Sequence, residues 1–267
     1  MNWHSANSMR RSPLLALYAV LVFGFIYLPV TVLVVYSFNR DGVGGFPPRH
    51  FTFDWYRQLF ASDRAIWDSV LNSLLVAAGA VVLSLVLGLL AALALDRADF
   101  PGKALFRRLV LLPLILPGII TGLSMLMFAV SAGFERSLTL VFLGHGTALI
   151  SVATTEIFAG LQKMDRRQEE ASLDLGATPW RTFWLVTLPN LRLSLIAAGL
   201  LIFTLSMDEI AVTFFLIGSD NTLPLEIWGR LRRGITPEIN AISSLILAAS
   251  VVLLVVWYHL RTRFERQ

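Results

Sequence analysis

Apolar runs long enough to cross a lipid bilayer recur along nearly the whole of this 267-residue chain, and nothing else in it narrows the fold so sharply. A helix needs about 20 apolar residues to span the hydrocarbon core. Six segments qualify, at roughly 13–36, 69–95, 104–131, 145–163, 191–217 and 240–260. Backbone groups in lipid must be satisfied internally, which leaves helices or closed barrels. The runs are continuous Leu, Val, Ile and Ala rather than short alternating strands, so helices remain. With 56% hydrophobic and 15% charged residues, the membrane part is the protein itself and not an anchor on a soluble domain. The expected fold is an all-α integral membrane protein of six transmembrane helices in a single domain over 1–267.

The third and fourth segments are less regular. Pro113 and Pro117 are expected to kink or break the third helix. Thr147, Ser151, Thr154, Thr155 and Glu156 dilute the fourth, which suits a helix buried among others. In the second segment Ala80, Ser84, Gly88 and Ala92 recur every four residues and make one helix face small enough for a close neighbour.

Arg10 and Arg11 precede a first apolar stretch that is too long for a signal-peptide core and lacks a cleavage site, so it reads as a retained span. The termini, the 96–108 loop and the 163–192 segment together hold 14 of the 22 Lys and Arg residues. The positive-inside rule then places both ends in the cytoplasm. Trp55, Tyr56 and Trp67 suit the opposite membrane interface. Glu226, Trp228, Glu238, Arg230, Arg232 and Arg233 fall in outward segments, where a solvated face is the ordinary reading.

Several function classes fall away. The chain has no cysteine, which removes disulfides and thiol chemistry, and its four histidines show no metal-ligand spacing; His145 reads as a capping or packing residue. No phosphate-binding Gly-x-x-x-x-Gly-Lys-Ser/Thr motif occurs, and no nucleophile and base stand together in the spans. The net charge of +4 comes without a basic patch interleaved with aromatics, so nucleic acid is not an expected partner.

The segment 164–190 differs from the rest in its mixed polarity and reads as helix, turn, helix. A helix is favoured from about Asp165 to Leu175, and Gly176 can take the left-handed conformation that stops it. Thr178 and Pro179 then supply an N-cap and a first helical position. Pro189 is expected to end the second helix, whose Trp180, Phe183, Trp184 and Leu185 suit an interfacial surface. A hairpin that merely connects two spans is the plainer account.

Here the sequence resembles the permease subunits of type I ATP-binding-cassette importers. Glu170, Ala171 and Ser172 match the family's Glu-Ala-Ala, Gly176 follows at the right spacing, and Val186, Leu188 and Pro189 match its Ile-x-Leu-Pro after nine intervening residues. The departures are Ser for Ala and Val for Ile. A type I importer permease fold is implied, in which the loop forms a coupling helix seated in a cleft of a separate cytoplasmic ATPase. The resemblance further implies an ATPase dimer that uses ATP and Mg, with no cofactor on this chain and no catalysis by it. Also implied are a second, related permease subunit in a heterodimer, an extracytoplasmic substrate-binding protein, and a place in the bacterial inner membrane. An ion-driven secondary transporter would not explain this signature.

The similarity looks closest to spermidine/putrescine permeases, carried by Leu200–Ile210, Leu223–Trp228 and Gly234–Ala241. That implies a polyamine cargo; another organic cation, an amino-acid derivative or an iron complex is the alternative. A polycation in a membrane should meet carboxylates. Asp208 and Glu209 lie mid-way in the fifth segment and Glu156 in the fourth, which makes them candidates for a pathway or gate. Pairing with an arginine or a backbone donor is the competing reading. Ser151 stands near where the family usually has a proline.

Overall fold

The computed structural model describes residues 13–41, 50–234 and 236–264, with the side chains of 13, 253, 254 and 256–264 left aside. Arg10 and Arg11 lie outside the described residues. Contacts divide the chain into two units, one running to Asp63 and resuming at Gly229, the other Arg64–Trp228.

In the first unit, α1 (Pro13–Tyr36) is apolar on every side and exposed along nearly its whole length. An all-round apolar helix without protein cover is stable only in lipid. The segment after it is tied back by Ser37 and Tyr56, whose hydroxyls meet at 2.6 Å, and by Trp55 Nε1 donating to Asn39 O at 2.9 Å. Trp55 and Tyr56 belong to α2 (Asp54–Ser62).

In the second unit, α3 (Arg64–Arg97) is the central strut. It is followed by α4 (Lys103–Leu111) and α5 (Gly118–Ser131), then by α6 (Leu138–Ala148) and α7 (Ile150–Lys163). After these come α8 (Arg167–Asp174), α9 (Pro179–Thr182), a π-helical turn (Phe183–Thr187) and α10 (Leu188–Asn190). The chain continues through α11 (Arg192–Met207) and α12 (Ala211–Leu216) into α13 (Leu223–Arg233), which crosses into the first unit. There α14 (Pro237–Phe264) packs on α1 and α2, and Arg230 forms a two-point ion pair with Asp63 at 2.6 and 2.8 Å.

The small-residue face of α3 does what its period requires. It packs against α6, α7 and α11; a Cβ on Gly88 would come within 2.3 Å of Ala153 Cβ, and Ser84 Oγ donates to Gly146 O at 2.7 Å. Around this contact Ala92, Ala153, Ile157, Leu191, Ala198 and Ile202 form a buried core.

Among the described residues, three helices are individually long and apolar enough to cross a membrane, or five if each of two sharply bent pairs is one crossing. The fourth apolar segment begins at Leu138 rather than 145, because Ser137 caps it by accepting from Leu140 N at 3.3 Å. The third is bent by 106° between its two halves. Pro113 sits in a 3₁₀ turn over Leu112–Leu114, and Pro117 takes an extended ψ of 136° that no helix accommodates. The fifth is not one helix: α11 stops at Met207, and Asp208–Ile210 separates it from α12.

Candidate functional site: an interhelical hairpin and a broken helix

The hairpin starts with α8 and stops as its glycine dictates. Gly176 has φ +85°, its N–H bonds Leu173 O at 2.9 Å, and Ala177 N–H reaches back to Ser172 O at 3.1 Å. This pair of bonds satisfies carbonyls that the end of α8 would otherwise leave open. Thr178 then caps α9, its Oγ1 accepting from Arg181 N at 3.3 Å, with Pro179 in the first turn.

Pro189 does not end the second arm. The chain stays helical to Asn190, and the π-helical turn over Phe183–Thr187 lies just before the proline. A proline ring collides with the carbonyl four residues earlier, and widening the preceding turn to a π register relieves that collision. The turn of direction comes one step later, as a 65° bend between the arm and α11.

Polar bonds lock the arms together. Asn190 Nδ2 donates to Gln168 Oε1 at 2.8 Å near the base, and the hydroxyls of Ser172 and Thr182 meet at 3.0 Å towards the tip. Ser172 is the position where the resemblance has alanine, which has no group to make this cross-link. Between these, the Glu169 carboxylate accepts from both Thr187 Oγ1 and the Arg97 guanidinium. Arg97 ends α3, and beside it Asp96 accepts from Arg166 at 3.0 Å and from Gln162 at 2.6 Å. The hairpin is thereby bolted to the central helix of its unit.

Of the residues singled out by sequence, Glu170, Ala171, Gly176 and Pro189 are exposed, and Ser172, Val186 and Leu188 are half-buried. Glu170 takes no part in the bolt; its neighbour Glu169 does. The tip displays Leu175, 90% exposed, and Trp180, 68% exposed, the latter packed with Phe183 and Trp184 at centroid distances of 6.0 and 5.6 Å. A rigid hairpin with uncovered aromatic and aliphatic groups at its tip can fill a groove on another protein. Asp96, Arg97, Arg166, Gln168, Glu169, Thr187 and Asn190 were not marked by the sequence. The spacing to Gly176 singles out Glu170, and nothing in it points to the neighbouring Glu169.

The acidic candidates separate. Glu209 lies in the break between α11 and α12, where its Oε1 accepts from Val212 N at 2.8 Å. That is the backbone-donor alternative, and it leaves a second carboxylate oxygen. Asp208 is exposed, Glu156 is half-buried on α7, and neither forms an ion pair among the described residues. The three carboxylates are not linked by any hydrogen bond. Across the same break stands His145, fully buried, with Nδ1 2.8 Å from Ser206 Oγ and Nε2 2.9 Å from Thr213 Oγ1. Both ring nitrogens are thus engaged by hydroxyls, and among the described residues no cluster suited to a metal is present.

The chain has relatives in sequence and in fold. Residues 84–267 match the model of the family described as binding-protein-dependent transport system inner membrane component. The putrescine transport system permease protein PotI of Escherichia coli (strain K12) is 36% identical, covering 96% of this chain and 94% of that protein. The spermidine/putrescine transport system permease protein PotC of Haemophilus influenzae is 32% identical over 88% of this chain and 91% of its own length. Among solved structures, a bacterial ABC transporter involved in the import of the acidic polysaccharide alginate has a chain that superposes with a TM-score of 0.67. It covers 95% of this chain and 97% of that one at 16% identity, which speaks to the fold alone.

Proposed function

This chain belongs to the binding-protein-dependent transport system inner membrane component family, and from that premise we propose that it is a permease subunit of an ATP-driven polyamine importer, carrying putrescine or spermidine. The observation that carries the cargo is the identity with putrescine and spermidine/putrescine permeases over nearly the whole chain. The chain itself catalyses nothing; a separate ATPase pair binds ATP and Mg and hydrolyses the nucleotide.

Coupling passes through the hairpin. Its exposed tip of Leu175, Trp180 and Trp184 seats in a groove of the ATPase, with Glu170 and Gly176 on that surface. Force applied there reaches α3 through Glu169–Arg97 and Arg166–Asp96, because a hairpin cross-linked at base and tip moves as a unit. One bundle offers one hairpin, so a second, related permease subunit completes a heterodimer over the ATPase pair. An external binding protein delivers the cargo, and both termini face the cytoplasm. Closure of the ATPase pair draws the hairpins together and opens the pathway outward; hydrolysis resets it.

Along the pathway, exposed Asp208 and the uncommitted oxygen of Glu209 offer negative charge to ammonium groups, with Glu156 as a further candidate. The test is uptake of labelled putrescine and spermidine by cells with and without this chain, co-expressed with its ATPase, partner permease and binding protein. Saturable, ATP-dependent uptake that requires the chain is the expected result. Assembly with the ATPase but no polyamine uptake would keep the importer and reject the cargo.

A further inference from the structure

The transport reading leaves unused a cavity with three basic residues in its lining. It has a volume of about 470 Å³ and is lined by Leu95, Lys103, Ala104, Arg107, Arg108 and Phe158. Its basic residues come from α4, a short helix with two unlike faces. Lys103, Arg107 and Arg108 occupy one arc, while Leu105, Leu109 and the following Leu112 lie on another and are exposed. A short helix with exposed leucines beside a basic arc suits the plane where headgroups meet acyl chains.

The charges are only partly answered. Lys103 Nζ pairs with Asp99 at 3.1 Å. Arg107 and Arg108 meet no carboxylate within 4.0 Å among the described residues. Arg107 is nevertheless held in place, its guanidinium 5.6 Å from the centre of the Phe158 ring. At that distance the ring attracts the cation without consuming its N–H donors, which stay available to a tetrahedral oxyanion.

We propose that this pocket binds the phosphate of an anionic phospholipid headgroup, with Arg107 and Arg108 on the phosphate and the acyl chains along Leu105 and Leu109. Charge complementarity selects the anion, and the leucines beside the arginines select a lipid over free phosphate. The bound headgroup braces α4 against Phe158 of α7, the helix that leads into the hairpin.

The experiment uses the full-length chain in mild detergent, with native mass spectrometry under added phosphatidylglycerol, phosphatidylethanolamine or inorganic phosphate. Phosphatidylglycerol should be retained most strongly. Its affinity should fall about 30-fold in R107Q/R108Q, with the weaker retention of zwitterionic phosphatidylethanolamine falling less. Equal retention by the wild type and this variant overturns the proposal. So does displacement of the lipid by equimolar inorganic phosphate. If the variant loses a protein partner while holding phosphatidylglycerol as before, the arginines serve a protein contact and the lipid site is rejected. A second measurement avoids dependence on the variant's folding: phosphatidylglycerol with a photoreactive headgroup should label wild-type residues 103–108, and absence of that label also sinks the idea.

Discussion

His145 on α6 holds Thr213 of α12 through a 2.9 Å contact between Nε2 and Oγ1, and so spans the gap left where the fifth apolar segment breaks. Thr213 Oγ1 already donates to Glu209 O at 2.9 Å, so the proton of the shared bond comes from Nε2. In the neutral ring Nδ1 then accepts from Ser206, which belongs to α11. One imidazole therefore fixes both helical pieces and, through Thr213, the carbonyl of Glu209. His145→Leu should leave buried hydroxyls without this partner and lower stability by about 2–3 kcal/mol. His145→Gln, which keeps a donor and an acceptor, should lose less. Thermal unfolding in detergent measures both, and equal midpoints for the two variants would contradict the bridging role.

Gly176 separates backbone shape from side-chain contact. Its φ is +85°, yet nothing lies within 4 Å of where a Cβ would stand. Gly176→Ala should cost only the left-handed penalty of about 1–2 kcal/mol, and the protein should keep most of its uptake. Gly176→Pro cannot adopt this φ at all. The expected outcome is a chain that still inserts in the membrane but no longer co-purifies with its ATPase; full uptake with Gly176→Pro would reject the coupling assignment.

Adjacent glutamates should behave oppositely. Glu169 is largely buried against Arg97 and Thr187, so Glu169→Ala strands a partly covered guanidinium and should cost about 1–2 kcal/mol. Glu170 is exposed, so Glu170→Gln should change stability by less than about 0.5 kcal/mol while reducing ATP-driven uptake. Measuring thermal midpoint and uptake on the same preparations distinguishes the two, and a stability loss confined to Glu170→Gln would reverse their roles.

The contrast between these glutamates also marks how far sequence carries. Helical class, the break near Pro113 and Pro117, the stop at Gly176 and the cap at Thr178 depend on local chemistry, and each was legible. So was the packing face of α3, because its small residues repeat at helical spacing. The attachment of the hairpin to Asp96 and Arg97 was not, since those partners are about 70 residues away and no period connects them. The early start at Leu138 was missed because Ser137 acts through a single capping bond. Persistence of helix through Pro189 was missed because the rule that proline stops a helix neglects the widened turn before it. The break at Asp208–Ile210 was hidden by apolar residues on both sides, which read as one run.

That break allows charge to be tested apart from structure. At Glu209 a carboxylate oxygen caps the start of α12 through Val212 N. Glutamine retains an oxygen that can accept the same bond, whereas alanine retains none. Glu209→Gln should therefore leave stability within about 0.5 kcal/mol of wild type, while Glu209→Ala loses roughly 1 kcal/mol, the ordinary worth of a cap. Asp208 is exposed at the end of α11, and Asp208→Asn should be neutral for folding. If these carboxylates meet the ammonium groups of the cargo, Glu209→Gln and Asp208→Asn should each raise the half-saturating concentration for putrescine, by about tenfold for a lost charge-assisted bond of 1.5 kcal/mol or more. Loss of uptake in Glu209→Ala alone, with both charge-neutral amides unaffected, would make Glu209 a cap and remove it from the pathway.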